Sequence, residues 1–103
     1  MSNPQRKIES SGKIYIPIKF FRSLNFSKNQ EVEIIMEYGA ICIKKFSRKN
    51  LRYKSYVGIV RRLDNKQRVS IPWEYLRLMH LKEGDTFDTM YDGGKIIIFK
   101  EES

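Results

Sequence analysis

The chain has 103 residues and a mass of 12.3 kDa, the size of one ordinary domain or two very small ones. Its 20 Lys and Arg against 12 Asp and Glu leave a formal charge of +8 and a pI near 9.7, a balance suited to a polyanionic partner. A single cysteine, Cys42, excludes an intrachain disulfide and a cysteine-built metal site, and no signal peptide or membrane-spanning run is visible, so a cytoplasmic protein is expected.

The first predicted element is a short extended segment around Ile8 that carries the basic pair Arg6-Lys7. It runs into the turn formers Glu9-Ser10-Ser11-Gly12. Ile14 and Ile16 then alternate with other residues as a strand does. Pro17 discourages helix in the residue before it and fits the first turn of a helix after it. An amphipathic helix is therefore predicted over 18–24, with Phe20, Phe21 and Leu24 on one face. Residues 25–29 break that helix around one apolar anchor, Phe26. Two strands, 31–36 and 40–46, finish the unit through a Tyr38-Gly39 turn, where glycine admits positive φ.

Residues 47–55 read as a basic linker, and 44–54 carry positive charge with no acid. The same order then returns. Ile59-Val60 leads into Arg61-Arg62, the turn is Asp64-Asn65-Lys66-Gln67, and Val69 and Ile71 alternate before Pro72. A helix is predicted over 73–79 with Leu76 and Met79 inward, then the anchor Leu81, then strands 85–91 and 95–100 joined at Gly93-Gly94.

This is an internal repeat. Moved by 55 positions without a gap, residues 6–46 fall on 61–101. Ile16-Pro17, Arg22, Gly39, Ile41, Ile43 and Lys45 meet identical residues, while Arg6-Lys7 meets Arg61-Arg62, Glu9 meets Asp64 and Lys13 meets Arg68. Each copy is too short to sustain a core alone, so the two must cover each other or a second chain.

Residues 58–72 of the second copy, Gly-Ile-Val-Arg-Arg-Leu-Asp-Asn-Lys-Gln-Arg-Val-Ser-Ile-Pro, resemble the opening of the AbrB/MazE/SpoVT swapped-hairpin DNA-binding domains. The turn Leu81-Lys82-Glu83-Gly84-Asp85 and the hairpin Gly93-Gly94-Lys95-Ile96-Ile97-Ile98 extend the likeness over residues 56–101. Residues 6–46 fit more loosely and form a divergent first copy, in which Gly12 keeps the glycine that Gln67 replaces in the second. The resemblance implies a mainly β fold: an AbrB-like swapped-hairpin β-barrel with one short helix per repeat, in two tandem pseudo-twofold copies. It also implies duplex DNA as partner and a homodimer, with pairing of the copies inside one chain as the other arrangement. Carried over residue by residue, the DNA contacts are Arg61, Arg68 and Arg77 with Arg62 and Lys66 beside them, and Arg6, Lys7, Lys13 and Arg22 in the first copy. An arginine fork can read guanine or clamp phosphate, whereas lysine is a movable point charge.

Enzymatic chemistry is not expected. His80 stands alone and reads as a helix-end surface residue; Trp73 reads as partly buried against the other copy. Glu31, Glu33, Asp85 and Asp88 form no acid–base pair or metal motif, and no cofactor is implied. The expectation is a nucleoid-associated transcriptional regulator. An antitoxin-type interaction module with secondary DNA binding is the alternative, disfavoured because the sequence stops at Glu101-Glu102-Ser103, without the toxin-wrapping tail of antitoxins.

Overall fold

The computed structural model describes residues 7–49 and 58–100; Arg6 and linker residues 50–55 lie outside them. In each copy the proline sets the helix start. Pro17 and Pro72 are extended (ψ 145° and 135°), and their carbonyls accept the first helical N–H groups, from Phe20 and Phe21 and from Tyr75 and Leu76. The helices are α1 (Ile18–Ser23) and α2 (Trp73–Leu78), within a residue of their predicted ends.

Both helices end in the same Schellman turn. Asn25 and His80 adopt φ of 56° and 57°. Phe26 donates back to the carbonyl of Phe21, and Leu81 to that of Leu76, at 3.0 and 2.9 Å. This fold-back buries Phe26 and Leu81, the two predicted anchors. It also explains the retained lysines. Lys45 Nζ donates to the Asn25 carbonyl at 3.2 Å, and Lys100 Nζ to the His80 carbonyl at 3.4 Å. Lysine at these two positions holds the helix-ending turn against its own hairpin.

The strands are β1 (Lys13–Tyr15), β2 (Glu31–Glu37) and β3 (Ala40–Lys45), then β4 (Ile59–Arg62), β5 (Arg68–Ser70), β6 (Phe87–Asp92) and β7 (Lys95–Lys100). Among the described residues, only the hairpins pair within a copy, β2 with β3 and β6 with β7. Every other pairing joins the copies. β1 and β5 form a two-stranded ribbon with Ile14 opposite Val69, and β3 pairs with β7 with Cys42 opposite Ile97. These opposed residues are the same position in the two copies, so a pseudo-twofold axis runs through both points.

The leading segments are exchanged. β4 pairs with β2 of the first copy, and Lys7 makes the matching bridge to Thr86 at the start of the second copy's hairpin. Leu63 donates to the Gln30 carbonyl, as Ile8 does to that of Asp85. The copies thus interlock inside one chain. The sheet order β4-β2-β3-β7-β6 is open, and the ribbon is a separate sheet. The expected closed barrel is not formed among the described residues, because β4 and β6 end as opposite edges rather than meeting. The fold is mainly β, around a core that both copies fill: Ile14, Ile34, Ile41 and Ile43 from one, Val69, Leu76, Ile96 and Ile98 from the other.

Candidate nucleic-acid interface

The ribbon positions the site. Ile14 and Val69 point into the core, so their neighbours Lys13, Tyr15, Arg68 and Ser70 face outward around the axis. On each side a tight turn returns the chain from the sheet edge to the ribbon. Glu9 N–H donates to the Lys13 carbonyl and Asp64 N–H to that of Arg68, at 2.8 and 2.9 Å. Asp64 carries its turn further, since its Oδ1 accepts the N–H groups of Lys66 and Arg68. Gln67, where the family pattern has glycine, takes φ of 61° and so adopts the left-handed geometry of Gly12.

Four of the outward charges are bound to one another. Arg68 Nε donates to Asp64 Oδ2 and Nη1 to Glu9 Oε1, both at 3.1 Å, while Lys13 Nζ lies 3.8 Å from Asp64 Oδ2. The Arg68–Glu9 and Lys13–Asp64 contacts are images of each other across the axis. Burial pulls the Asp64 pKa up, but the N–H groups of Arg68 and Lys66 and the Arg68 guanidinium outweigh it and hold the carboxyl below its ordinary value. The hydrogen bond to Glu9, followed by that to Asp64, raises the Arg68 pKa. This cluster is neutral overall, so the local positive field comes from other residues.

Those residues flank it. Arg61 and Arg62 are exposed on the edge strand β4, and Lys66 is exposed in the adjoining turn. Lys7 is exposed at the far sheet edge. Arg62 meets Glu31 at 3.6 Å with most of its side chain in solvent. Lys7, Arg22, Arg61, Lys66 and Arg77 form no ion pair with any described carboxylate. Arg22 and Arg77 sit exposed in the last turns of α1 and α2, where the helix dipole favours a cation. Of the sequence-derived set, the structure draws Lys13 and Arg68 into one network and leaves Lys7, Arg61, Lys66, Arg22 and Arg77 available.

Sequence reasoning missed Glu9 and Asp64 as the groups that hold these bases. The signal was present: an acid four residues before a base in both copies. It also missed the exposed apolar pair at the helix starts, Ile18 and Trp73: Trp73, expected to be partly buried, is exposed, with only its ring edge lying near Gly12 of the other copy.

Among the described residues, no group of His, Cys, Asp and Glu could hold a metal ion. Cys42 is buried on the axis, and burial, with Glu37 next, pushes its thiol pKa up, away from nucleophilic use. Glu33 is buried beside Lys44 at 3.4 Å. No helix among the described residues is long and apolar enough to cross a membrane. Comparison with protein-family models, with curated proteins and with solved structures gave no match.

Proposed function

We propose that the chain is a duplex-DNA-binding transcriptional regulator of the AbrB/MazE/SpoVT swapped-hairpin type, acting at the nucleoid. The observation that carries the reading is the ribbon β1·β5, where the chain's pseudo-twofold axis emerges between unpaired basic side chains at both sheet edges. A twofold-related basic surface suits a duplex, whose phosphates recur on both sides of its own dyads. The resemblance implied copies that interlock their hairpins; here the copies exchange their leading segments within one chain, which supports the reading without a second chain. In this reading Arg61, Lys66, Lys7, Arg22 and Arg77 reach phosphate or base edges, with Arg62 able to leave Glu31. Arg68 orients the ribbon and keeps its Nη2 protons for DNA, since the guanidinium has five donors and the two carboxylates take Nε and Nη1.

Anisotropy titration of mixed-sequence and selected duplexes across a salt series tests the reading. Binding that weakens steeply with salt, yet prefers selected over scrambled duplexes at 0.15 M, is the expected result. Equal retention of all duplexes would leave only a sticky cation and defeat it.

A further inference from the structure

The interlock joins two copies that are alike in backbone and unlike in chemistry. Around the shared axis, Lys66 on one side answers Ser11 on the other, both exposed. Arg62, opposite a carboxylate on Glu31, answers Lys7, opposite the neutral Thr86. Trp73 answers Ile18, and the two are 46% and 45% exposed at the starts of their helices. Trp73 is anchored there, its Cζ2 3.7 Å from where a Cβ on Gly12 would sit, one residue from Lys13 on the ribbon. Ile16 N–H donates to the Gln67 carbonyl and Ile71 N–H to that of Gly12, so one side of the axis carries guanidinium, ammonium and a branched alkyl group, and the other ammonium, hydroxyl and indole.

Resting on the DNA-binding reading above, we propose that one chain occupies one asymmetric duplex site in a fixed polarity. The half-site under Arg61, Arg62, Lys66 and Ile18 is read chiefly by arginine, and the half-site under Lys7, Ser11 and Trp73 by lysine, serine and tryptophan, because the exchanged ribbon sets Ile18 beside the Lys66 turn and Trp73 beside the Ser11 turn. A homodimer of identical subunits presents the same groups to both half-sites and selects inverted repeats. This chain cannot do so with its own two copies, because β2·β4, β1·β5 and β3·β7 join each copy to the unlike one. Arginine forks favour guanine O6 and N7, while lysine is a movable point charge and an indole packs on sugar or a thymine methyl, so the preferred bases differ between halves.

The test is selection of duplexes from a randomised pool with the full chain, followed by two symmetrised versions of the selected site, left half doubled and right half doubled. The expected outcome is a site without dyad symmetry, one chain per duplex by native mass spectrometry, and at least a tenfold loss on one symmetrised duplex. A variant that exchanges the copies' chemistry, Lys66→Ser with Ser11→Lys and Trp73→Ile with Ile18→Trp, should favour the other symmetrised duplex. The wild-type comparison stands even if that variant does not fold. Palindromic selected sites, two chains per duplex, or equal binding of the symmetrised duplexes would overturn the asymmetric reading alone. Failure to retain any duplex would overturn DNA binding itself, and this inference with it.

Discussion

Arg68 holds Glu9 across the boundary between the two copies at 3.1 Å, while its Nε holds Asp64 of its own copy at the same distance. One guanidinium thus ties together the two turns that return the chain to the ribbon. Asp64 is the harder member to replace, because it also accepts two backbone N–H groups. Asp64→Ala should cost about 1 kcal/mol, the usual cost of losing a carboxylate that caps backbone donors. Chemical denaturation of the full chain measures it, and an unchanged midpoint would show the turn holds without the carboxylate.

The same carboxyl gives a pH dependence with a definite sign. Its folded pKa is lowered, so its contribution is fully present above the unfolded value of about 3.9 and is lost as pH falls through the folded value. The gap in melting temperature between wild type and Asp64→Asn should be constant from about pH 7 to 5 and shrink below about pH 4. A gap that widens in acid would mean that the sign is wrong.

The left-handed turn positions make opposite predictions in the two copies. Gln67 holds φ of 61° with a side chain attached, so Gln67→Gly should stabilise by about 1 kcal/mol, raising Tm by roughly 4–8 °C for a domain of this size. Gly12→Ala should do the reverse. Its φ is 71°, and the new Cβ would lie 3.1 Å from the Ile71 carbonyl oxygen and 3.2 Å from Leu76 Cδ1. Melts of the two variants check both signs.

Phe26 and Leu81 are buried where the Schellman turn folds back, and Phe26 packs edge-on against Phe21 with ring centroids 5.9 Å apart. Alanine at either position should cost about 2–5 kcal/mol, through lost burial and an unfilled cavity. Much of the stability of so small a domain would go with it. A shift of only a degree or two in Tm for both would contradict their place in the core.

All pairings beyond the hairpins cross between copies, so residues 54–103 alone should be unfolded or should dimerise, replacing the missing copy with a second molecule. Circular dichroism with sedimentation decides; a folded monomer would show that the copies are independent.

Local signals made much of this fold legible. The prolines, the two-residue alternation at Ile14 and Val69, the turn glycines and the anchors Phe26 and Leu81 each act through neighbours in sequence, and each element lies near its predicted place. Contacts across the axis were less legible. A 55-residue register is the same whether the copies pair within a chain or between chains, so it could not choose between them. The Glu9–Arg68 bond joins residues far apart in sequence, and only knowledge of which strands pair reveals it. The matching of Lys45 with Lys100 was visible as identity, but its reason, a bond to a left-handed residue's carbonyl, was not. Barrel closure came from resemblance alone, and no feature of the strands required it.

The last prediction separates Arg61 from Arg68, which the sequence treated alike. Arg61 is exposed on an edge strand, and among the described residues its side chain bonds just the Val60 carbonyl beside it, so removing the side chain should leave the fold intact. Arg61→Ala should cut duplex affinity at least tenfold with an unchanged Tm. Its salt slope should fall by about 0.9 if the lost contact is a phosphate, or its base preference should relax if the contact is a base edge. Arg68→Ala should lose affinity and lower Tm together, because the two turns lose their tie. Lys13→Ala and Arg22→Ala, in the divergent copy, should be milder. Lys95 is the control. It bonds Glu37 at 3.3 Å on the sheet face that carries Cys42 and Ile97, whereas the ribbon packs against the face that carries Ile96 and Ile98. Lys95→Ala should therefore bind duplex almost normally. Equal losses at Lys95 and Arg61 would place the DNA-facing surface elsewhere, or nowhere in particular.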